Sequence, residues 1–509
     1  MRTYEDFPIN DLLLYAGIDC LVTSNLFGKV LPTTIETPKY IRFEYVEDEK
    51  KNRKLQTKDE RLLSIMESTL MYTMPALDFI IDMEINGIKY DVEKNKIIKR
   101  RMDIEIRGLE EDIFNQIHQR INLDSSKELS TLLYQTMNFT PPHLTKRGEP
   151  ATDRDALEAL SKTTKLDWLA KIAKRNDIAA LYRTFIATYV KDFVKADGRV
   201  HPSYNLHGTS SFRISGSNPN LTQLPRANHG YNLRELFTVD EGNIFIALDF
   251  SSAEVKVLGA LCKDPGLLRA IKEGKDFHSF SACNMHGLDY DEFVAVLEDK
   301  SHPDHKKYKL LRQGAKALTF GILYGSSARG IALNLGITED EAKALIKLYF
   351  DLYPRIKEYV ECAHKMADTN HMVVSHFGQR KMEYGTRNDM DYSVRNAARR
   401  NAQNVLVQNT TSSLGLACFT ELNTAIKKLG GKVLCTVYDS VEIEAPLDKA
   451  AEILELAFYC MNDWPLERFE WLTLPIGVEA EIGFNWGETT VVNRGITQAE
   501  IEAALNKYH

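Results

Sequence analysis

The stretch IFIALDFSSAEVKVLGALCKDPG (residues 244–266) carries a strand signal, an acidic residue and a helix signal in direct succession. Residues 244–248 form a short apolar run typical of a buried strand, and Asp249 ends it. Ser251 and Glu254 then match the S-x-x-E capping-box pattern that opens a helix, which we expect to stop at the Asp-Pro-Gly of residues 264–266. Asp249 is either an ordinary strand-end residue or a functional carboxylate, and this segment alone favours neither.

A second strand region lies far along the chain, in KVLCTVYDSVEIEAP (residues 432–446). Two apolar-rich strands meet there at Tyr438, Asp439 and Ser440. Because Asp and Ser are common turn formers, Asp439 is, on this stretch alone, more simply a turn residue than a metal ligand. A long helical block, from residue 252 to about residue 429, separates the two strand regions. We therefore expect an α+β fold in which two sequence-distant halves of one sheet meet in space.

The composition is that of an ordinary globular protein, with 509 residues, 44% of them hydrophobic and 27% charged, and a formal net charge of -7. An acidic total still allows a basic groove, so charge does not exclude a nucleic-acid partner. Seven cysteines without a C-x-x-C pair indicate reduced thiols in a cytoplasmic setting. Neither a secretory signal nor an apolar run long enough to span a membrane is visible.

One predicted helix carries functional side chains at four-residue spacing. In KKYKLLRQGAKALTFGILYGSSARG (residues 306–330) these are Arg312, Lys316, Phe320 and Tyr324. Each step drifts by roughly 40°, so the four lie on one slowly turning stripe that could bind phosphates at one end and stack a ring at the other. The alternative is a solvated basic face that grades into core aromatics, and the repetition favours function.

Another predicted helix, RRNAQNVLVQNTTSSLG (residues 399–415), places Arg400, Asn404 and Gln408 at the same spacing. Long hydrogen-bonding side chains there could reach sugar or base edges in the minor groove of a duplex. Taken alone, a polar helix face is the simpler interpretation.

These segments together resemble the family A DNA polymerases, the bacterial DNA polymerase I group. Residues 249–256, DFSSAEVK, resemble motif A, usually D-Y-S-Q-I-E-L-R. Residues 312–325 fill every signature position of motif B, R-x-x-x-K-x-x-x-F-G-x-x-Y-G, and residues 437–440 lie where motif C, V-H-D-E, belongs.

Further segments agree with this family in the same order. Residues 209–226, TSSFRISGSNPNLTQLPR, are similar to T-x-T-G-R-x-S-S-x-x-P-N-L-Q-N-I-P, with Arg213 and Asn220 at key positions. Residues 274–279, GKDFHS, supply the D-x-H with Asp276 and His278. Residues 400–408 match R-x-x-x-N-x-x-x-Q, and residues 477–488, GVEAEIGFNWGE, resemble the C-terminal G-x-N-W. The resemblance runs from about residue 75 to residue 488.

The resemblance implies a right-hand polymerase fold, with an antiparallel palm sheet, helical fingers and a helical thumb. It assigns residues 1–70 to a remnant of the C-terminal part of an exonuclease domain and residues 71–190 to the thumb. Residues 191–262 and 411–509 form the two parts of the palm, and residues 263–410 form the fingers. The implied activity is template-directed extension of a primer 3′ end with dNTPs, in a bacterial or phage-infected cell, because the divergence is phage-like.

By the same resemblance, Asp249 and Asp439 hold two magnesium ions, for which manganese can substitute, with the Phe250 carbonyl as a further ligand. Lys316 is also the expected general acid for the pyrophosphate. The expected nucleotide-binding residues are Arg312, Lys316, His278, Phe320, Tyr324 and Glu254, the last as a steric gate against ribonucleotides. The expected primer–template contacts are Arg213, Asn220, Arg400, Asn404, Gln408 and Tyr438. Phe320 lacks the aromatic hydroxyl that admits dideoxynucleotides, so discrimination against these terminators is expected.

The active-site motifs depart from the family pattern at single positions. Ser252 and Ala253 replace Gln-Ile in motif A, and Tyr438 replaces the His of motif C. Ser440 stands where motif C usually has a second acid. We expect that acid to be auxiliary here, with Glu442 too far round the strand to replace it simply.

A proofreading nuclease is expected to be incomplete in this chain. Tyr15 and Asp19 have the Y-x-x-x-D spacing of the last motif of a 3′–5′ exonuclease, but the first motif, D-x-E, does not precede them. The D-x-E at residues 82–84 follows them in the chain, which is the wrong order. We expect the chain to start inside an exonuclease fold and to lack proofreading. Residues 1–60 would then be vestigial or dock a separately encoded exonuclease chain, and a processivity factor is the other candidate partner.

Two other functions stay open. A single-subunit RNA polymerase shares the palm and parts of these motifs, but Glu254 and the complete motif B weigh against it. A catalytically silent DNA-binding subunit would not need both carboxylates and all the triphosphate-binding residues.

Overall fold

The computed structural model describes residues 39–47, 53–61, 65–209, 211–387 and 390–508. The predicted exonuclease motif at Tyr15 and Asp19 lies outside the described residues. In chain order the strands are β1 (Lys39–Glu47), β2 (Arg53–Arg61), β3 (Ile88–Tyr90), β4 (Arg199–Val200), β5 (Ser203–Asn205), β6 (Ser215–Ser217), β7 (Phe237–Thr238), β8 (Asn243–Phe250), β9 (Met372–Val374), β10 (Arg380–Met382), β11 (Lys432–Val437), β12 (Ser440–Pro446), β13 (Val478–Gly483) and β14 (Thr489–Val492).

The helices fall into blocks between these strands. They are α1 (Ile65–Ser68), α2 (Ala76–Asn86), α3 (Val92–Ile117), α4 (Ser126–Ser130), α5 (Arg154–Thr164), α6 (Asp167–Phe185), α7 (Tyr189–Phe193), α8 (Ala253–Cys262), α9 (Pro265–Lys272), α10 (Phe277–His286), α11 (Tyr290–Glu298), α12 (His305–Leu323), α13 (Ala328–Leu335), α14 (Glu339–Leu352), α15 (Pro354–Asn370), α16 (Tyr392–Lys427), α17 (Ala450–Phe458), α18 (Trp464–Arg468) and α19 (Gln498–Leu505). The predicted α+β class is confirmed.

The central sheet is antiparallel, with the spatial order β11-β12-β8-β13-β14. Strand β8 pairs with β12 on one side and with β13 on the other, so the two halves that are distant in sequence do meet in space. Alternation along β8 places Ile246, Leu248 and Phe250 in the main apolar core, where the Phe250 ring stacks on Phe419 with centroids 5.8 Å apart. The opposite face of this sheet carries Asp249.

The predicted helical region before the sheet is observed as α3 to α7. Helix α3 begins at an N-cap, Asp91, whose side chain accepts a hydrogen bond from the Lys94 amide at 2.8 Å. Arg175 of α6 is buried and pairs with Glu110 and Asp124, which fixes α6 against α3. Helix α2, which the sequence placed at the start of the thumb, packs instead into the core beneath the central sheet.

The long insertion between the two sheet halves forms a second helical block, α9 to α15, with its own apolar core. Helix α12 carries Arg312, Lys316 and Phe320, as predicted. Tyr324 lies one residue beyond the last helical residue, at the C-cap, and its amide still donates to the Phe320 carbonyl at 2.8 Å. The four-residue stripe therefore ends at the helix terminus and does not continue through it.

The β1–β2 hairpin packs against α15 of this helical block. The Tyr45 hydroxyl donates to Glu361 at 2.8 Å, Arg53 donates to Glu358 at 2.9 Å, and the Ile41 amide donates to Asn370 at 3.0 Å. The described hairpin of the region predicted as an exonuclease remnant is thus anchored on the predicted fingers. No helix among the described residues has the length and apolarity needed to cross a membrane.

Candidate active site

The two predicted metal-binding carboxylates come together at one end of the central sheet. Asp249 is the penultimate residue of β8, and Asp439 lies in the two-residue turn that joins β11 to β12. Register pairs Asp249 with Ser440, and the Phe250 amide donates to the Asp439 carbonyl at 3.3 Å. The turn and ligand interpretations of Asp439 are therefore compatible, because the turn carries this carboxylate to the end of β8.

The electrostatics of this pair favour a bound cation. Burial, the charge of Asp439 and the charge of Glu479 raise the pKa of Asp249 to about 7. Burial also raises the pKa of Asp439. The Oδ1 atom of Asp249 is buried and has no hydrogen-bond partner, although buried acceptors are normally satisfied. Two half-buried carboxylates, one with a buried and unsatisfied oxygen, form a site that a divalent cation would stabilise.

The donor set fits magnesium. Hard carboxylate and carbonyl oxygens are its preferred ligands, and it is commonly held by one or two carboxylates together with substrate phosphates. The described residues contain no group of three or more His, Cys, Asp or Glu side chains arranged to hold a metal alone. A site with two carboxylates, completed by the Phe250 carbonyl, water and substrate oxygens, agrees with that finding.

The predicted capping box at Ser251 and Glu254 is wrong. Helix α8 begins after Ser252, which adopts a left-handed φ of 55° and makes no side-chain capping bond. Glu254 is 9% exposed, and its carboxylate turns away from the helix terminus to bind Arg213 and the Tyr324 hydroxyl. These long-range partners outcompete the local backbone, which a four-residue pattern cannot reveal.

Glu254 thus connects three predicted functional segments. Its bond to the Tyr324 hydroxyl is 2.8 Å long, and Gln408 lies within hydrogen-bonding reach of the same hydroxyl. Burial and the charge of Asp439 raise the pKa of Glu254, against the opposing effects of Tyr324 and Arg213. The structure brings this steric-gate candidate into one network with three residues predicted to contact DNA or nucleotide, namely Arg213, Tyr324 and Gln408.

Tyr438 lies beside this network, on the turn next to Asp439. It is 56% exposed and has a φ of 61°, a left-handed conformation that is uncommon for a bulky residue. The Arg213 guanidinium lies 5.5 Å from the centroid of its ring. An exposed ring held by an overlying cation, one residue from a candidate metal ligand, suits contact with a substrate.

The stripe on α12 faces a second cluster. Arg312 donates to Asp276 at 2.8 Å, and Asp276 caps α10 by accepting from the Ser279 amide at 2.8 Å. Burial alone would raise the pKa of Asp276, but the hydrogen bonds from Arg312 and Ser279 outweigh it and the pKa is lowered. Lys316 is exposed, with its Nζ 5.9 Å from the Phe320 ring centroid. Arg312 is already engaged, whereas the ammonium group of Lys316 points to the surface.

His278 lies behind this stripe. Its ring is 5.6 Å from the Phe320 ring, its side chain is buried, and its Nδ1 has no hydrogen-bond partner. Burial, together with the charges of Lys316 and Arg312, lowers the pKa of His278 to about 4, although Asp276 opposes the shift. The imidazole is therefore neutral near pH 7 and can donate one hydrogen bond to a phosphate oxygen.

The third predicted stripe, Arg400, Asn404 and Gln408, lies on the single long helix α16. The end of α12 approaches it closely: a Cβ added to Gly325, whose φ is +68°, would lie 2.5 Å from the Cβ of Arg400. The Oδ1 of Asn404 is buried and has no hydrogen-bond partner. This orphaned acceptor agrees with a polar face that awaits a ligand.

Asn220 has a local structural role. Its side-chain oxygen accepts hydrogen bonds from the amide of Thr222 at 3.0 Å and from the hydroxyl of Thr222 at 2.6 Å. Because its side-chain oxygen is already bonded within the protein, only the side-chain NH2 group of Asn220 remains to contact DNA.

Sequence reasoning missed the acidic neighbours of Asp249 on the same sheet face. Glu479 pairs with Asp249 across β13 and is exposed. Glu442 of β12 is 2% exposed and accepts a hydrogen bond from the Ser440 hydroxyl at 2.8 Å. Glu442 lies on the same strand face as Ser440, since residues two apart on a strand share a face. That Glu442 does not simply replace the usual acid stays a prediction. Burial raises the pKa of Glu442 to about 8, against the opposing effects of Ser440 and Arg234.

A sequence profile of the family described as DNA polymerase family A matches residues 92–488. The thermostable DNA polymerase I of Thermus filiformis is 31% identical over 417 residues, which are 81% of this chain and 47% of that protein. DNA polymerase I of Borreliella burgdorferi is 30% identical over 421 residues, 82% of this chain and 43% of the relative. The chain therefore spans less than half the length of either relative.

A solved structure is also similar to the chain. It is the POL domain of Pol1 from M. smegmatis, in complex with DNA primer-template and dNTP. It matches with a TM-score of 0.72 and 26% sequence identity, over 83% of this chain and 71% of that one.

Proposed function

The chain belongs to DNA polymerase family A, since the family profile covers residues 92–488, and we propose that it is a template-directed DNA polymerase that extends a primer 3′ end with dNTPs. The observation that carries the proposal is the meeting of Asp249 and Asp439 at one end of an antiparallel sheet. Phosphoryl transfer depends on this kind of carboxylate pair. The M. smegmatis relative was solved with primer-template and dNTP, which supports the same ligands here.

We propose that Asp249 and Asp439 hold two magnesium ions, for which manganese can substitute, and that the Phe250 carbonyl adds a ligand. Bound there, the ions would neutralise charge that develops on the transferred phosphoryl group. The raised pKa of Asp249 and its unsatisfied Oδ1 support this assignment.

The nucleotide would lie along the α12 stripe. Arg312, Lys316 and neutral His278 would bind the triphosphate, and exposed Lys316 would donate a proton to the leaving pyrophosphate. Phe320 and Tyr324 would lie near the base. Glu254, held by Arg213 and Tyr324, would crowd the sugar 2′ position and exclude ribonucleotides.

The primer–template would contact α16, the segments on either side of β6 and the β11–β12 turn. The proposed contacts are Arg213, Asn220, Arg400, Asn404, Gln408 and Tyr438. Exposure of Tyr438 and the orphaned oxygen of Asn404 support their availability.

These roles fit the proposed division of the chain. Residues 71–190 would form the thumb, residues 191–262 and 411–509 the palm, and residues 263–410 the fingers. One apolar core that lies within the region assigned to the thumb, and another that lies within the region assigned to the fingers, support it. Helix α2 would then join the thumb to the palm core.

Primer extension by the purified chain tests the proposal. We expect dNTP-dependent extension in magnesium, lost on Asp249→Ala and on Asp439→Ala. Asp340→Ala is the matched control, because Asp340 is a carboxylate of α14 whose side chain is 94% exposed. Extension that survives both active-site substitutions would contradict the carboxylate assignment.

The same assay decides between the candidate functions. A single-subunit RNA polymerase would incorporate rNTPs in preference to dNTPs, and a silent DNA-binding subunit would bind primer–template without extending it. Burial of Glu254 within hydrogen bonds, at the proposed sugar position, supports the DNA polymerase.

We further propose that this chain alone does not proofread. In the triplet at residues 82–84, Asp82 binds Asn423 at 2.6 Å and Glu84 accepts from the Tyr204 amide at 2.7 Å, so both acids serve the fold. A mismatched primer terminus should therefore persist in magnesium, and its removal by the purified chain would contradict this.

Residues 1–60 either dock a separately encoded 3′–5′ exonuclease chain or are vestigial, and a processivity factor is the other candidate partner. A pulldown from the native cell that finds no nuclease would count against the docking alternative.

A further inference from the structure

Glu442 is a buried carboxyl group that the proposed reaction leaves unused. It lies on β12, on the sheet face that carries Asp249, and it is 2% exposed. Register places Glu442 opposite Ala247, whose small side chain leaves room for the longer carboxyl. Because burying a carboxyl group is costly unless it is hydrogen-bonded, its partners indicate what it does there.

Ser440 links Glu442 to the candidate metal site. Its hydroxyl lies 2.8 Å from the Oε1 of Glu442 and 3.2 Å from the Val437 carbonyl. Ser440 is also the direct cross-strand partner of Asp249. Directly opposite residues have Cβ atoms only about 5 Å apart, so another rotamer would bring this hydroxyl to the Asp249 carboxylate.

The hydroxyl does not make that contact. Asp249 Oδ1 is buried and without a hydrogen-bond partner, even though a donor lies on the neighbouring strand. A serine has one hydroxyl proton, and here it is directed toward Glu442 and the Val437 carbonyl. Glu442, as the nearer of these two acceptors, helps to hold the Ser440 hydroxyl in this direction.

We propose that Glu442 is a positioning residue, which holds the Ser440 hydroxyl away from Asp249 and so keeps an Asp249 oxygen free for a divalent cation. The inference rests on the proposed function, in which Asp249 is a metal ligand. Without this acceptor, only the longer contact to the Val437 carbonyl holds the hydroxyl, and the charged Asp249 carboxylate competes for it, so a cation would have to displace the hydroxyl. One such hydrogen bond changes a binding constant by about tenfold.

Three substitutions separate this role from a general structural one. Glu442→Val removes the acceptor and should weaken cation binding by about tenfold. Glu442→Gln keeps a carbonyl oxygen for Ser440, and Ser440→Ala removes the competing hydroxyl, so each should stay within about threefold of wild type. The double variant Ser440→Ala/Glu442→Val should recover to that level, because no hydroxyl remains to compete. Mere damage to the fold would not be repaired by a second truncation.

Cation affinity is measured by titrating the full chain with Mn²⁺ and following the electron paramagnetic resonance signal of free Mn²⁺. The sample contains dNTP and a primer–template whose primer is already dideoxy-terminated, so that no turnover occurs. Magnesium dependence of extension gives a second readout. Asp249→Ala defines loss of the site. Glu444→Gln is the matched control: Glu444 is a buried acid of the same strand face, bound by Arg199 and Asn243, and its change should leave Mn²⁺ affinity unaltered. Should Glu442→Val not fold, Glu442→Met, which fills the volume without an oxygen, takes its place.

The outcomes are distinct. Wild-type Mn²⁺ affinity in Glu442→Val, or a double variant no better than Glu442→Val, overturns the inference and leaves the proposed function standing. Glu442→Gln as weak as Glu442→Val also overturns it, because the charge and not the hydrogen bond would then matter. A wild type that neither extends primers nor loses Mn²⁺ on Asp249→Ala overturns the proposed function as well.

Discussion

Replacing Asp249 by asparagine should stabilise the cation-free protein at high pH while it abolishes primer extension. Burial and the neighbouring charges of Asp439 and Glu479 raise the pKa of Asp249 from 3.8 to about 7. The folded state therefore binds this proton more tightly than the unfolded state does. The corresponding stability is fully present below about pH 4 and is lost as the pH rises through about 7. Asparagine has a similar shape and carries no charge at any of these pH values.

The size of the effect follows from the shift. About three pKa units at 1.36 kcal/mol each set a ceiling of about 4 kcal/mol above pH 7. Asp249 is only partly enclosed and titrates beside Asp439, so solvent and coupling reduce this, and we expect about 1–2 kcal/mol. Unfolding entropy grows with chain length, and for 509 residues a gain of this size raises Tm by only about 1–2 °C.

The assay is thermal or urea unfolding of wild type and Asp249→Asn in EDTA, at about pH 4 and at about pH 8. The variant should be more stable at about pH 8 and nearly equal at about pH 4, where Asp249 is largely neutral in both states. Added Mg²⁺ or Mn²⁺ should then stabilise the wild type and leave the variant unchanged, because binding to the folded state adds stability. Asp340→Asn, at an exposed carboxylate, is the control and should change neither result.

Two results would refute this reasoning. An equal gain at about pH 4 and about pH 8 would mean that the carboxylate charge is not the cause. A variant that is less stable than wild type at pH 8 would mean that Asp249 is held ionised by a favourable partner, contrary to its unsatisfied Oδ1.

Three further substitutions test other parts of the structure. Phe320→Tyr should increase dideoxynucleotide incorporation relative to dNTP in competition assays, and equal use of both substrates by the wild type, unchanged in the variant, would contradict this. Glu254→Ala should raise the rNTP-to-dNTP ratio of kcat/KM by at least about tenfold, because it opens the proposed sugar pocket. Arg199→Met should lower the free energy of unfolding by about 3 kcal/mol, since it leaves buried Glu444 without its main cation. Arg120→Met, at an exposed ion pair, should cost less than about 1 kcal/mol in the same urea titration.

The parts of the site that the sequence predicts are those with local signals. The apolar run before Asp249 and the hairpin around Asp439 follow from alternation and turn chemistry, and both are confirmed. Four-residue spacing correctly places Arg312 and Lys316 on one helix, although Tyr324 falls at its end. Strand alternation and helical spacing are periodic in the sequence, so they can be recognised in a single sequence without the structure.

Long-range side-chain partners carry no such signal. The S-x-x-E pattern predicts a cap for Glu254, yet an arginine and a tyrosine from distant segments bind it. Nothing in the order of residues indicates that Asp276 holds Arg312, because α10 and α12 meet only in the folded chain. Glu442 could have been found, since period-two alternation already places it on the face of Ser440.

In the folded site, several side chains that the proposed reaction requires are already hydrogen-bonded to other residues of the protein. Arg312 is bound to Asp276, and Glu254 is bound to Arg213 and Tyr324, so a nucleotide must exchange these partners for its own. The end of α12 near Tyr324 is fixed to α16, where Gln403 donates to the Ile322 carbonyl at 2.6 Å. The middle of α12 bears Arg312 in a partly exposed ion pair, which costs little to break, and the start of the helix packs on α11 through Tyr308 and Phe293. Movement of α12 on nucleotide binding would therefore pivot near its C-terminal end, where Gly325 packs against α16, and would carry α11 with it.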